Sequence, residues 1–271
     1  MKAMDLKTHF GFITEPFSKE IAATKIFISQ SLQSLYQRLA NLLSRRGIAL
    51  ITGDVGSGKT TAIRAFVDKL DKTHYDIVYI EDPTIGLRGI WAAIASQLNL
   101  DSQYFKWQLM PKLKTAIENN FTQYRKTTVM IIDDSQLLKP QALEELRLFT
   151  NFRIDSHSPV TLILLAQPEI RKLVALKSMQ ALNQRIVLRA HLAGLAQDEV
   201  KAYVKHQLNT AGYAGDLFSD EVISEIFQQA RGLPRLINTL CYQCLFESYT
   251  QNNSFVDMPT LEKVLCDFDG L

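Results

Sequence analysis

The sequence predicts an α/β protein: a parallel sheet sandwiched by helices, followed by an all-helical C-terminal lid. Three observations predict it. Short apolar runs alternate with helix-period segments as far as residue 192. A glycine-rich octapeptide joins the first of these runs to the helix-period segment after it. Beyond residue 192 the strand-like runs cease and helical patterns follow one another.

The first strand is expected at 48–52, where Ile48, Ala49, Leu50 and Ile51 form a continuous apolar run. Gly53, Asp54, Val55, Gly56, Ser57, Gly58, Lys59 and Thr60 follow it and spell GxxxxGKT. The glycines let the backbone turn tightly, so that successive N–H groups face a triphosphate with no Cβ in the way. Lys59 is placed to reach the β- and γ-phosphates, and the Thr60 hydroxyl to complete a Mg²⁺ shell. Thr61 continues into a segment with apolar residues at helical spacing, whose N-terminal dipole adds to the anion site. Strand before and helix after are the context this motif requires, so ATP and Mg²⁺ are the expected cofactors.

Further strands are expected at 76–81, 127–133 and 159–166, with helical periodicity between them at 90–98, 109–121 and 143–149. Val129, Met130, Ile131 and Ile132, and Leu162 to Leu165, are apolar at every position, as strands covered on both faces are. After residue 192, helices are expected at 197–211, 220–231, 234–249 and 259–268, with Ser219 as an N-cap and Pro234 and Pro259 at early-helix positions. The expected division is an N-terminal segment at 1–28, a nucleotide-binding domain at 29–192 and a helical lid at 193–271.

A cradle holds a nucleotide, and turnover needs acidic groups at a second strand end. Asp133 and Asp134 end the 127–133 strand. Asp133 is expected to hold Mg²⁺ and Asp134 to orient and help deprotonate the attacking water; the bland reading of the pair is a capping turn. Gln167 ends the 159–166 strand, so its amide either approaches the γ-phosphate and attacking water or caps the helix starting at Pro168. Arg185 reads by default as a surface ion-pair residue. Arg235 lies in the first turn of a helix, where positive charge opposes the dipole, and either faces a nucleotide phosphate or points into solvent. Cys241 and Cys244 form a lone CxxC within a helical pattern, with no second pair at zinc spacing, and read as buried helix residues.

Net charge is only +2, but it is segregated. Residues 193–271 carry 5 basic and 11 acidic side chains, and residues 1–192 carry 25 and 17. The basic portion either faces a polyanion or complements nucleotide and its acidic neighbour. No apolar run approaches the roughly 20 residues of a membrane span, and nothing behind Lys2 resembles a signal peptide, so a cytoplasmic protein without a membrane partner is expected. Three cysteines offer no disulfide framework.

Taken together these residues resemble the AAA+ ATPases, in the branch that holds the ExeA-like secretion ATPases and the helper ATPases of DNA transposition. The match is carried by Phe10, Gly11 and Phe12 with Glu15, Pro16 and Phe17; by 53–60; by Asp133, Asp134, Ser135, Gln136, Leu137 and Leu138, similar to DEAQLL; by Ala166 to Ile170, similar to GQPEL; by Gln184, Arg185 and Ile186; and by Gly232 to Asn238, similar to GxPRxIN. The resemblance implies that residues 1–28 pack near the adenine and that Gln167 lies in the sensor 1 region. It also implies that Arg185 is an arginine finger acting on a neighbouring subunit of a homo-oligomer, ring or filament, and that Arg235 is sensor 2. Asp134 departs from the family's usual Glu, and the shorter carboxylate implies slow hydrolysis, suited to a switch.

Three roles follow. The first is an ATP-dependent regulator of transposition that oligomerises on duplex DNA and recruits a transposase, with a target-selection protein as a further partner. The second is an ExeA-like secretion ATPase; such proteins normally continue into a membrane helix and a peptidoglycan-binding region, and this chain stops at Leu271. The third is a nucleotide-dependent scaffold without DNA. Candidate DNA contacts are Arg88, where the helper ATPases place a basic residue at a helix start, and Lys106 beside Tyr104, Phe105 and Trp107. Those aromatics read as core or interface residues in preference to base-stacking ones.

Overall fold

A strand that is apolar at every position has to be covered on both faces, and three such strands occupy the middle of the sheet. The computed structural model describes residues 6–18, 21–101, 105–153 and 158–268. These divide into two compact units, one of Gln30–Val55 with Lys59–Leu192, the other of the residues up to Ser29, Gly56–Gly58 and those from Ala193 onward.

The first unit holds β1 (Ile48–Thr52), β2 (Tyr75–Ile80), β3 (Thr127–Ile132), β4 (Val160–Ala166) and β5 (Ile186–His191), all parallel, in the order β2-β3-β4-β1-β5. One alternation of side chains, including Ile48, Leu50, Met130, Ile132, Leu162 and Leu164, forms a core with α4 (Gly86–Gln97), α5 (Lys106–Tyr124), α6 (Pro140–Phe149) and α8 (Gln180–Arg185). The opposite alternation, including Ala49, Ile51, Val129, Ile131, Ile163 and Leu165, is equally buried. Fully burying each branched side chain is worth roughly 1.5–3 kcal/mol, so each central strand is held by several such terms on both of its faces.

A long helix and an edge strand of this unit are among the elements not expected. Gln30–Arg45 is a helix, α2, whose Leu32, Leu35, Leu39, Leu42 and Leu43 line one buried stripe. β5 is a fifth strand; its Ile186 and Leu188 are buried while Val187 and Arg189 are exposed. It lies at the sheet edge beside β1 alone, so only every second side chain meets the core, and its short alternating pattern lacks the continuous run that marks the central strands. The short helices α3 (Lys59–Asp68) and α7 (Ile170–Val174) follow β1 and β4.

The second unit is helical: α1 (Leu6–Phe10), α9 (Gln197–Thr210), α10 (Asp220–Ala230), α11 (Pro234–Thr250) and α12 (Met258–Phe268). Ser219 caps α10 by accepting from the Val222 N–H at 3.3 Å, and Pro234 is the first residue of α11. Phe10, Phe12 and Phe17 of the opening segment are buried in the core that Val204, Leu208, Ile226, Leu240 and Leu261 build. Cys241 and Cys244 are buried on α11, where desolvation pushes the Cys241 thiol far up and that of Cys244 to about 12; Cys266 is exposed. No helix among the described residues is long and apolar enough to cross a membrane.

Candidate active site

The strand order sets the site. β4 lies between β1 and β3, so the ends of the two strands that carry the cradle and the acidic pair flank the end that carries Gln167. Parallel strands deliver all three ends to one edge of the sheet.

The cradle leaves β1 with the Gly53 N–H donating to the Ala166 carbonyl at 3.2 Å. Gly56 and Gly58 have φ of +84° and +89°, a region that L side chains avoid. Gly56 has a second reason to be glycine: a Cβ there would lie 2.8 Å from the Cβ of Arg235, a residue of the same unit whose N–H donates to the Gly56 carbonyl. Ser57 is buried and its Oγ has no hydrogen-bond partner among the described residues. Lys59 is buried as well, with Nζ donating to the carbonyls of Gly53 at 2.7 Å and Asp54 at 2.9 Å. A buried ammonium and a buried hydroxyl without a partner among the described residues, in one loop, fit a phosphate ligand. Asp54 and Val55 are exposed at the loop tip, and Thr61 continues α3.

Thr60 and Asp133, 73 residues apart in sequence, meet directly: the Thr60 hydroxyl donates to Asp133 Oδ2 at 2.7 Å. Asp133 is 6% exposed and its N–H pairs with the Ile80 carbonyl, which ties the start of the acidic loop to β2. A hydroxyl and a carboxylate are hard oxygen donors and fit Mg²⁺. Tyr79, which nothing in the sequence marks, also donates its hydroxyl to Asp133 Oδ2, at 2.7 Å. Burial, and then the hydrogen bond to Asp133, push the Tyr79 phenol far above its ordinary pKa, so it stays a donor.

Asp134 is exposed and sits in the left-handed region at φ 43°, ψ 38°, where Asp is tolerated better than most residues. Its Oδ1 accepts from Gln136 Nε2 at 3.0 Å, and Gln136 Oε1 accepts from the Gln167 N–H, also at 3.0 Å. Gln136 therefore ties the candidate water-orienting carboxylate to the end of β4. The Gln167 side chain makes no hydrogen bond among the described residues; its backbone is what the site holds.

The remaining candidates are Arg185, Arg235, Arg88 and Lys106. The Arg185 guanidinium at the end of α8 donates to Asn151 Oδ1. Arg235 is the second residue of α11, and its exposed guanidinium makes no ion pair among the described residues. Arg88, in the first turn of α4, is likewise exposed and without an ion pair there. Lys106 is paired with Glu145 of α6. Phe105 and Trp107 are 66% and 73% exposed, which removes the core half of the core-or-interface expectation. The buried stripe of α5 is Leu109, Leu113 and Ile117, and Trp107, two residues ahead of it, faces the other way. Tyr104 lies outside the described residues.

Three comparisons agree with this geometry. A family model described as an AAA domain matches residues 30–174. The chain is 30% identical over 247 residues to General secretion pathway protein A of Aeromonas hydrophila; the match covers 90% of this chain and 45% of that protein, so the chain spans less than half the relative's length. Among solved structures it is similar to Cdc6p from Pyrobaculum aerophilum, at a TM-score of 0.66 and 18% identity over 89% of this chain and 67% of that one. It is also similar to the Aeropyrum pernix ORC1 protein in complex with DNA, at 0.68 and 14% over 92% and 68%. Drosophila ORC bound to DNA gives 0.70 and 15% over 97% and 66%. At these identities the structural likeness is one of fold. The matched family spans more than half of the chain and contains the cradle, the acidic pair and the end of β4, and the chain therefore belongs to the AAA domain family, with the AAA+ P-loop NTPase fold.

Proposed function

We propose that this AAA+ ATPase is a slow, ATP-controlled assembly switch that acts on duplex DNA, forming homo-oligomers there as a regulator of transposition that recruits a transposase. The observation that carries the DNA reading is Arg88: an exposed guanidinium with no ion pair among the described residues, in the first turn of α4, in a portion of the chain with 25 basic against 17 acidic side chains. Phosphate contacts of this kind give affinity without sequence preference. Two similar folds whose structures contain DNA support the same reading. Lys106, its charge offset by Glu145, is the weaker contact.

Within the nucleotide site, Lys59 and the cradle N–H groups hold the phosphates, and Thr60 and Asp133 hold Mg²⁺, which supplies charge neutralisation at the phosphate oxygens. Asp134 orients water from a short side chain, which makes turnover slow. Arg185 serves a neighbouring subunit by exchanging Asn151 for that subunit's phosphate, and Arg235 contacts nucleotide in cis. Both assignments rest on the family resemblance.

The test is fluorescence anisotropy of labelled duplex DNA at several salt concentrations with an ATP analogue. The reading expects affinity to fall steeply with salt, and Arg88→Ala to weaken binding on all sequences and reduce the log–log slope by about one, with ATP binding intact. Unaltered DNA affinity in Arg88→Ala removes Arg88 from the site. A second reading, a secretion-associated ATPase, is favoured by the similarity to General secretion pathway protein A and expects ATP turnover indifferent to DNA.

A further inference from the structure

Tyr79 lies on β2, the edge strand of the sheet, and its backbone faces outward from the sheet. Among the described residues no further strand occupies that edge. Instead the side chain of Gln97, the last residue of α4, takes the position of one: its Oε1 accepts from the Tyr79 N–H at 2.8 Å and its Nε2 donates to the Tyr79 carbonyl at 2.8 Å. A primary amide offers one acceptor and one donor at the spacing a peptide group presents, so it can satisfy both backbone groups of one residue. The side chain of the clamped residue is the one that reaches Asp133.

We propose that Tyr79 and Gln97 are positioning residues of the metal site, forming a relay in series through which α4 sets the Asp133 carboxylate. Without the phenol, Asp133 keeps the Thr60 hydroxyl and the Asp134 N–H as donors but loses the one that approaches from β2. The carboxylate is then held by two donors instead of three, and the orientation of the oxygens it offers to a cation is less firmly set. Partners that orient a ligating carboxylate are typically worth 10–100-fold in metal affinity. Gln97 acts one step further out, by holding the backbone from which the phenol projects, and its removal has a smaller effect in the same direction.

The inference rests on the reading of Thr60 and Asp133 as the Mg²⁺ site. Its test is the Mg²⁺ concentration that gives half-maximal binding of a fluorescent ATP analogue, measured for the wild-type chain, Tyr79→Phe, Gln97→Ala and the double variant, alongside nucleotide affinity in excess chelator. Tyr79→Phe is expected to raise the midpoint about tenfold. Gln97→Ala raises it about threefold, and the double variant no further than Tyr79→Phe alone, because steps in series do not add. Affinity in chelator stays at the wild-type value, which a general loss of structure would not allow. If Gln97→Ala does not fold, Gln97→Glu keeps the acceptor for the Tyr79 N–H, loses the donor to its carbonyl, and gives the same readout. An unmoved midpoint in Tyr79→Phe, or a double-variant shift equal to the product of the single ones, overturns the relay. Nucleotide binding indifferent to Mg²⁺ in the wild type overturns the underlying metal site instead.

Discussion

Lengthening Asp134 by one methylene is the perturbation that most sharply tests its role. The carboxylate is exposed, held through Oδ1 by Gln136 at 3.0 Å, and carried on a left-handed residue just past the buried Asp133. In Asp134→Glu the carboxylate advances by up to one C–C bond, about 1.5 Å. A displacement of about 1 Å in a reacting geometry is worth up to about 100-fold in rate, which sets the ceiling on the gain. Gln136 must release or follow the longer side chain, and Glu sits less readily than Asp in the left-handed region, so about tenfold in kcat is the expected increase. Nucleotide affinity should stay within about twofold, because Lys59, Thr60 and Asp133 are untouched. Phosphate release at saturating Mg²⁺ and ATP gives the first quantity, and titration of a fluorescent ATP analogue the second. Turnover equal to or below wild type, at unchanged affinity, would refute Asp134 as the water-orienting group. Asp134→Ala should fall below wild type in the same assay.

Other expectations concern the helical unit. Gly232 has φ +72°, and a Cβ there would stand 2.1 Å from the Leu195 carbonyl oxygen, whose own N–H donates to the Gly232 carbonyl at 2.7 Å. Gly232→Ala should therefore destabilise this unit by at least about 2 kcal/mol, read as a lowered urea midpoint, and an unshifted midpoint would show that the loop yields freely. The three cysteines should separate by burial: one thiol, Cys266, reacting promptly with a disulfide reagent at pH 8, and Cys241 and Cys244 only on unfolding. Burial holds the Cys244 thiol at about 12, so raising the pH from 7 to 9 should not expose a second fast-reacting group; a prompt second equivalent would contradict the buried position.

What was legible in the sequence was whatever is carried by a continuous pattern. β1, β3 and β4 are buried at every position and stand out as apolar runs, and the cradle is a contiguous string with its strand and helix in place. β5 was not legible, because an edge strand buries only alternate side chains, and six residues ending in Arg189, Ala190 and His191 resemble a polar loop. α2 was legible in principle: Leu32, Leu35, Leu39 and Leu42 recur at helical spacing. In the site, Thr60 and Asp133 were readable from their motifs, and their contact required only the strand order. Tyr79, Gln97 and Gln136 were not, since each acquires its role from a neighbour remote in sequence: Tyr79 from Asp133 on the adjacent strand, Gln97 from the open edge of β2, Gln136 from the end of β4. Phe105 and Trp107 are not core residues, and hydrophobicity alone does not say which way a residue ahead of a helix's buried stripe will face.

The nucleotide site, α4 and the basic bias of the first 192 residues converge on one claim, that ATP controls assembly on duplex DNA. Particle mass measured in solution with and without a non-hydrolysable ATP analogue, and with and without duplex DNA, tests it most directly. The account predicts assemblies many subunits in mass when both are present and small species when either is withheld. Nucleotide-dependent particles of the same mass with and without DNA would contradict it.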